Sequence, residues 1–392
     1  MLSLKVHLTQ LKREFNDYPM SFCSYYDTYQ CRSCSWIDTP YVEQLKQKEE
    51  LLHGLLDSLN PQAWLTSTPS PLKGFRNKAK MVATPSMEGV VLGLSEEVSL
   101  IQCPLYDSSM QQVLENTQIW LRNLGIKAYD IKKKKGELKY VLLTQSKYDG
   151  AMMLRFVLRS HGTIARLQRG LTELTSLSPA LKVITANIQP VHMAILEGEE
   201  EIFLTEETRL EERLNGIPLF IRPKSFFQTN TDVASKLYKT AAEWVNAGKP
   251  KVIWDLFCGV GGFALHCAVP DREIIGIEIE SEAIACARDS AVLIGFENLR
   301  FEAMDTASFG ATSGKNVDVV IVNPPRRGLG EQLCKWLERS SPERILYSSC
   351  NATSLARDLE LLQQYSIKRV QLFDMFPHTQ HYETLVELVK KV

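Results

Sequence analysis

Apolar and polar positions alternate in two different rhythms along the chain, and the rhythm changes near residue 223. In the first half, residues 40–60 carry Val42, Leu45, Leu51, Leu52, Leu55 and Leu56 at helical spacing before the breaker pair Asn60-Pro61. A Ser/Thr/Pro-rich linker follows, and the text then turns β-rich. Strands are predicted at Tyr140–Thr144, Met152–Leu158, Val183–Ile188 and Ile202–Leu204, with a helix over Ile164–Leu177. That mixture predicts a compact α+β unit. In the second half, strand and helix alternate. A helix is predicted over Asp232–Asn246, then buried strands at Lys251–Phe257, Ile274–Glu278, Leu299–Asp305, Val317–Val322 and Ile345–Ser349, and a closing pair at Val370–Phe373 and Leu385–Val389. The expected fold class is α/β, with a Rossmann-like domain over residues 223–392. Before it lie the α+β region, 20–222, and an extension, 1–19, to which no role is assigned.

Length agrees with this division, because 392 residues exceed what one hydrophobic core usually supports. A formal net charge of -1 gives no global basic field, so a nucleic-acid partner has to be read from local patches. One such patch is Gly74–Val82, where strand alternation puts Arg76, Lys78 and Lys80 on one face, able to track a phosphate backbone or simply to meet solvent. Lys132–Lys135 form a second basic run, expected at a loop tip. No run approaches the ~18 apolar residues of a membrane span. The opening residues are interrupted by charge, unlike a signal peptide, so the expected location is cytoplasmic.

Nine cysteines, an odd number without an export signal, favour thiols, metal or catalysis over a disulfide framework. Cys23, Cys31 and Cys34 are spaced C-x7-C-x2-C, and Cys103 is the next along the chain. Four soft thiolates suit an iron–sulfur cluster or a structural zinc, and sulfur alone does not choose between them. The plain alternative is four unrelated thiols. Phe22, Tyr25, Tyr26, Tyr29 and Trp36 would shield such a site.

Candidate chemistry gathers at the carboxyl ends of the second-half strands, where open α/β sheets bind ligands. Gly259 and Gly261 let the backbone approach a ligand, and Glu278, 23 residues after Asp255, can accept both hydroxyls of an adenosine ribose. Such a turn would also fit NAD. The lack of a full G-x-G-x-x-G, and Asp255 ahead of the glycines, lean toward S-adenosylmethionine. Asp305 can accept from an adenine amino group, and Pro324-Pro325 stiffen the loop that holds Asn323. Cys350 ends an apolar run as a candidate nucleophile, against the commoner role of a cysteine as packing. Cys258, in the glycine-rich turn, is read as packing.

The segments S-F-F-Q-T-N (225–230), D-L-F-C-G-V-G-G-F (255–263), N-P-P-R-R-G (323–328), Y-S-S-C-N (347–351) and F-P-H-T-Q-H-Y-E (376–383) together resemble the RNA uracil-C5 methyltransferases. With the early cysteines and G-F-R-N-K-A-K included, the resemblance covers nearly all of residues 20–392. It implies a class I S-adenosylmethionine-dependent domain, a [4Fe–4S] cluster on Cys23, Cys31, Cys34 and Cys103, Cys350 as nucleophile and Glu383 as general base. It further implies cofactor contacts from Gln228, Phe257, Glu278 and Asn323. Phe226 is read as a platform for the target base, with plain core packing as the alternative. The branch most resembled acts on 23S ribosomal RNA and lacks the amino-terminal TRAM barrel of a sister branch. The implied partner is therefore 23S rRNA, at a uridine flexible enough to leave its stack, with no obligate protein partner. One departure is N-P-P-R where the wider family has D-P-P-R, and it leaves a base role at Asn323 unsupported. Amino-methyltransferases also show Asn-Pro-Pro, but with an aromatic residue next and no thiol, whereas Arg326 follows here. A non-catalytic RNA-binding module is a further alternative, and a flavin route lacks its amino-terminal fingerprint.

Overall fold

Along each strand of the second half, successive side chains enter two different cores, and this sorting builds the sheet. The computed structural model describes residues 21–94, 98–192, 196–306 and 317–391, so the extension 1–19 lies outside the described residues. Among strands β9 (Val252–Leu256), β10 (Glu273–Glu278), β11 (Leu299–Ala303), β12 (Val319–Val322), β13 (Arg344–Ser349), β14 (Tyr365–Phe373) and β15 (Glu383–Lys390), the sheet order is β11-β10-β9-β12-β13-β15-β14. β9 to β13 run parallel, and β15 inserts antiparallel between β13 and β14. The order reverses direction between β9 and β12, the switch point where such sheets bind ligands.

Ile253, Val319, Ile321, Leu346 and Leu385 enter one core, with Val233, Leu237 and Tyr238 from a helix over Thr231–Asn246. Trp254, Val320, Val322, Ile345 and Tyr347 enter the other. Helices at Gly330–Ser340 and Ala352–Leu361 cover this second face, and so does the helix Tyr41–Leu56, through Leu52 and Leu56. A buried residue on such a strand has no solvent-facing side, which is why these strands read as continuous apolar runs.

The first half folds around a sheet of order β2-β1-β3-β4-β5-β6, made of β1 (Lys78–Ser86), β2 (Gly89–Gly93), β3 (Leu138–Gln145), β4 (Met152–Leu158), β5 (Leu181–Ile188) and β6 (Glu200–Phe203). Its helix-covered face packs Ala79, Met81, Leu143, Leu154 and Phe156 against Met110, Leu114, Trp120, Leu167 and Leu174. The covering helices are Ser108–Asn123 and Ile164–Leu177, and the second crosses between the parallel pair β4 and β5. The hairpin β7 (Leu210–Leu214) and β8 (Ile217–Ile221) joins the core of the second half. The expected strand over 74–82 begins only at Lys78, because Asn77 is engaged elsewhere. Its amide donates to Gln228 O and Thr231 Oγ1 at 2.9 and 2.8 Å, which stitches the two halves together. Among the described residues, no helix is long and apolar enough to cross a membrane.

The helix Tyr41–Leu56 is tied down by a buried ion pair. Lys48 Nζ lies 2.6 Å from Asp374 Oδ1, both side chains fully buried, and also donates to Phe376 O at 3.1 Å. Tyr41 Oη donates to the other carboxylate oxygen of Asp374 at 2.8 Å. Removing one partner strands the other charge in the core. Lys48→Met is therefore expected to lower unfolding free energy by about 3–5 kcal/mol, read from the denaturant midpoint. A loss under ~1 kcal/mol would show that Asp374 finds solvent or another donor.

Candidate active site

Three strand ends on one face of the second sheet build the site. Ser349–Thr384 is the end pair of the β13–β15 ladder; Glu383 opens β15, and Cys350 leaves β13 in the bend just beyond, near enough for the Glu383 charge to raise its thiol. Alternation puts Glu383 on the face of Leu385, which is also that of Ser348 and Leu346. Asn323, just past β12, shares the face of Val319 and Ile321. Its backbone N–H donates to Leu256 O at 3.3 Å, which fixes it beside the end of β9.

Glu383 is the first residue of β15 and 2% exposed. Burial pushes its carboxyl up to about 7, and a 2.6 Å hydrogen bond from Ser348 Oγ to Oε1 partly opposes that rise. Desolvation is thus the dominant cause, and it leaves a carboxylate basic enough to take a proton near neutrality. The Cys350 thiol, half-buried, is also raised, first by burial and then by the Glu383 charge; Arg326 pulls it back toward the thiolate. Arg326 is exposed, and its carbonyl is held by Asn351 Nδ2 at 2.8 Å. The same loop is anchored by Asp358, which accepts from Leu329 N at 2.6 Å and from Tyr347 Oη at 2.8 Å. Sequence reasoning named Arg326 only as a residue that is not aromatic. Its side-chain role and that of Ser348 were not foreseen, though both lie inside the quoted segments.

At the switch point, the turn after β9 bends through left-handed conformations at Phe257 (φ 62), Gly259 (φ 54) and Gly261 (φ 85). Only Phe257 among them meets the steric cost of a side chain there, and such strain concentrates at ligand-binding turns. Gly259 N donates to Glu278 Oε2 at 3.2 Å, while Oε1 accepts from Ile279 N and Glu280 N at 2.8 and 3.1 Å. The carboxylate is therefore pre-set at the end of β10, where ribose hydroxyls would meet it. Asp305 is exposed past β11, and Gln228 is buried in the turn before the helix Thr231–Asn246. Phe226, two residues earlier, is 65% exposed, an apolar ring left free for a stacking partner. Cys258 is buried, with its thiol raised well above the usual range by burial and with Sγ packed at the Gly276 backbone.

A second group lies apart from this site. Cys23, Cys31, Cys34 and Cys103 line a cavity of about 350 Å³ together with Arg76, Lys78 and Lys80. Lys78 and Lys80 come from the face of β1 opposite its helices, and Arg76 from just ahead of it. Burial pushes the Cys34 thiol up to about 12 and Cys103 to about 11, with the other cysteines adding to the rise. Thiols so placed hold their protons until a cationic centre displaces them. Among the described residues, no three Cys, His, Asp or Glu side chains close tightly enough to hold a single metal ion. Pro377 and Thr379 also line this cavity, so its wall continues into the segment that leads to Glu383.

A parallel sheet with an antiparallel strand inserted at one side, a glycine turn facing an acid at the switch point, and a thiol opposite a buried carboxylate define a Rossmann-like methyltransferase. Known proteins make this narrower. Residues 199–391 match the family model of tRNA (Uracil-5-)-methyltransferase. The 23S rRNA (uracil(747)-C(5))-methyltransferase RlmC of Escherichia coli O139:H28 is 52% identical over 373 residues, spanning 94% of this chain and 100% of that protein. The same protein from Shigella sonnei gives the same identity and coverage. Among solved structures, the tRNA (uracil-54, C5)-methyltransferase of Pyrococcus abyssi, in complex with S-adenosyl-L-homocysteine, superposes with a TM-score of 0.77 at 28% identity. That match covers 91% of this chain and 85% of the archaeal one. The chain belongs to the RNA uracil-C5 methyltransferase family.

Two outcomes follow from the electrostatics. Replacing Arg326 with Gln removes the cation beside Cys350, so the pH midpoint for alkylation of Cys350, followed by peptide mass spectrometry, should rise by roughly half a unit to one unit. Glu383 favours its protonated form in the fold, so its contribution is fully present below pH 4.5 and is lost as pH rises through about 7. Glu383→Gln should therefore match the parent protein at pH 4 and exceed its stability at pH 8 by about 2–3 kcal/mol in denaturant titrations.

Proposed function

We propose that this chain transfers a methyl group from S-adenosylmethionine to C5 of a uridine in 23S ribosomal RNA, through a covalent adduct on Cys350 resolved by Glu383. The observation that carries the reading is that Cys350, just past the end of β13, lies beside buried Glu383, the first residue of β15, close enough for that charge to act on its thiol. Uracil C5 is too weak a nucleophile to act unaided, and a thiol next to a base is what such a ring needs. The relatives are named for uracil 747, and that nucleotide is the target proposed here.

In the proposed sequence, Cys350 Sγ bonds to C6 and the C5–C6 π pair moves onto the ring as an enolate. Arg326 stabilises the attacking thiolate. S-adenosylmethionine, when bound, supplies an electrophilic methyl on a sulfonium centre. The enolate pair on C5 forms the new C–methyl bond as the methyl–sulfonium bond breaks, its pair staying on the donor sulfur as a neutral thioether, and Glu383 then removes the C5 proton. The C–H pair re-forms the C5–C6 double bond, and the C6–S pair returns to Cys350 as thiolate. One hydrogen on the ring has been replaced by methyl, with one proton released. Glu278, Gly259, Gly261, Phe257, Gln228, Asn323 and Asp305 are the proposed cofactor contacts. Phe226 is the proposed platform for a base drawn out of its stack, and Arg76, Lys78 and Lys80 the proposed phosphate contacts.

Cys23, Cys31, Cys34 and Cys103 are the proposed ligands of a [4Fe–4S] cluster. Methyl transfer is redox neutral, so the cluster's proposed task is to brace the loop over the cation row. Anaerobically purified protein should contain iron and acid-labile sulfide; zinc without either would overturn the assignment.

The catalytic reading is tested with Glu383→Gln, 23S rRNA and S-adenosylmethionine. It should yield a methylated RNA–protein adduct that survives denaturing electrophoresis, whereas Cys350→Ala should yield neither adduct nor product. Methylation by Cys350→Ala would sink the mechanism.

A further inference from the structure

Ser348 is fully buried on β13, two residues before the proposed nucleophile, and no part of the reaction as written uses it. Its register partner on β15 is Leu385, which puts Glu383 on the adjacent diagonal of the same face, within side-chain reach. The hydroxyl takes up that reach. Its Oγ lies 2.6 Å from Glu383 Oε1, and among the described residues no hydrogen bond reaches Oε2. Buried polar groups in a strand are placed at a cost unless they are paired, and here each is the other's partner.

We propose that Ser348 is a positioning residue for the base: by occupying Oε1 it aims Oε2 at the substrate and holds the carboxyl in its ionisable form. This rests on the reading of Glu383 as the base that removes the C5 proton. The hydroxyl donates to Oε1 while the carboxylate is charged. When the C5–H bond breaks, the proton binds Oε2, so Ser348 keeps its contact and no rearrangement is needed. The titratable groups facing the carboxyl are the Cys350 thiol, from the loop after β13, and the Tyr238 phenol, from the helix Thr231–Asn246. On the remaining side, β14 presents Phe373, which is apolar. Of the groups around this carboxyl, the serine is the hydrogen-bond donor that favours its charge.

The test is Ser348→Ala in the full-length protein, which removes one buried oxygen and leaves strand geometry intact. Two measurements are made. The lifetime of the Cys350–RNA adduct is followed by quench and denaturing electrophoresis across pH, and the Glu383 carboxyl stretch is titrated by infrared difference against Glu383→Gln in RNA-free protein. Loss of the donor should raise the carboxyl midpoint by about one unit and shift the acid limb of adduct resolution upward equally, while the rate of adduct formation stays within about twofold. A slowing of both steps with no movement of the infrared midpoint would mark Ser348 as plain packing and overturn the proposal. An unchanged midpoint with an unchanged adduct lifetime would do the same. If Glu383→Gln itself resolves the adduct normally, it is the reading of the base that fails, and that outcome is separate from any behaviour of Ser348→Ala.

Discussion

An antiparallel strand brings its first residue to the level at which its parallel neighbour ends, and the site depends on that constraint. β9 to β13 all deliver their carboxyl ends to one edge of the sheet, and the carboxylate proposed as the base has to reach that edge from a segment that comes later in the chain. The insertion of β15 beside β13 supplies it without a long loop, because Glu383 opens β15 where Ser349 closes β13. A parallel strand in that place would have put its opening residue at the opposite edge. The ladder also fixes the distance, since cross-strand neighbours keep their spacing whatever the RNA does. Ladder geometry therefore places the carboxylate and the last residue before the thiol, so that Cys350 leaves β13 beside Glu383.

The segment before β15 is held with comparable care by residues between Trp36 and Leu72. Gln44 accepts from His378 N at 2.8 Å, Trp36 N donates to His378 O at 2.9 Å, and His378 Nε2 meets Leu72 O at 3.0 Å. His378 itself sits at φ 65, a conformation that a non-glycine residue keeps only when its surroundings over-determine it. Lys48 and Tyr41 grip Asp374 at the other end of the turn. Asn230, capping the helix Thr231–Asn246, reaches Met375 O at 3.3 Å. The cysteine loop, the amino-terminal helix and the S-F-F-Q-T-N turn thus converge on residues 374–379. This explains why a helix from the first sixty residues packs on the seven-stranded sheet, and why residues 377 and 379 of the segment leading to Glu383 line the cysteine cavity.

Much of this was legible in the sequence, for reasons that also mark where legibility stopped. β-branched runs such as Val319–Val322 announced buried parallel strands because both faces are covered, and the helix Ile164–Leu177 showed its period without interruption. The helix Ser108–Asn123 was not read. Its apolar positions are spread among Gln, Asn and Thr; buried Thr117 bonds back to Val113 O in its own helix, and buried Gln118 accepts from Leu92 N, a partner that only the fold supplies. Likewise Arg155 reads as a flaw in a core strand, until Glu201 and Glu197 are found beside it. In the site, motif segments located the thiol and the acid. Whether Glu383 opens a buried strand or ends an exposed loop depends on β15 beginning two residues before the predicted Leu385, and period-two reading does not fix boundaries that finely. Ser348 was unreadable for a related reason, since a serine in an apolar run has no visible partner until register is known.

Register also settles how two groups of like charge can share so small a space. Burial raises both, and the Glu383 charge raises Cys350 further, so the two resist carrying negative charge together. The proposed reaction never asks it to. Before attack the sulfur is the charged member and the carboxyl can keep its proton. Once sulfur is bound to C6 it is an uncharged thioether, the repulsion vanishes, and the carboxyl can release that proton and become the base. On elimination the C5 proton neutralises the carboxylate at the moment the thiolate reappears. One negative charge therefore alternates between the ends of two neighbouring strands. The desolvation that looks costly in the resting protein is what keeps the two steps in order.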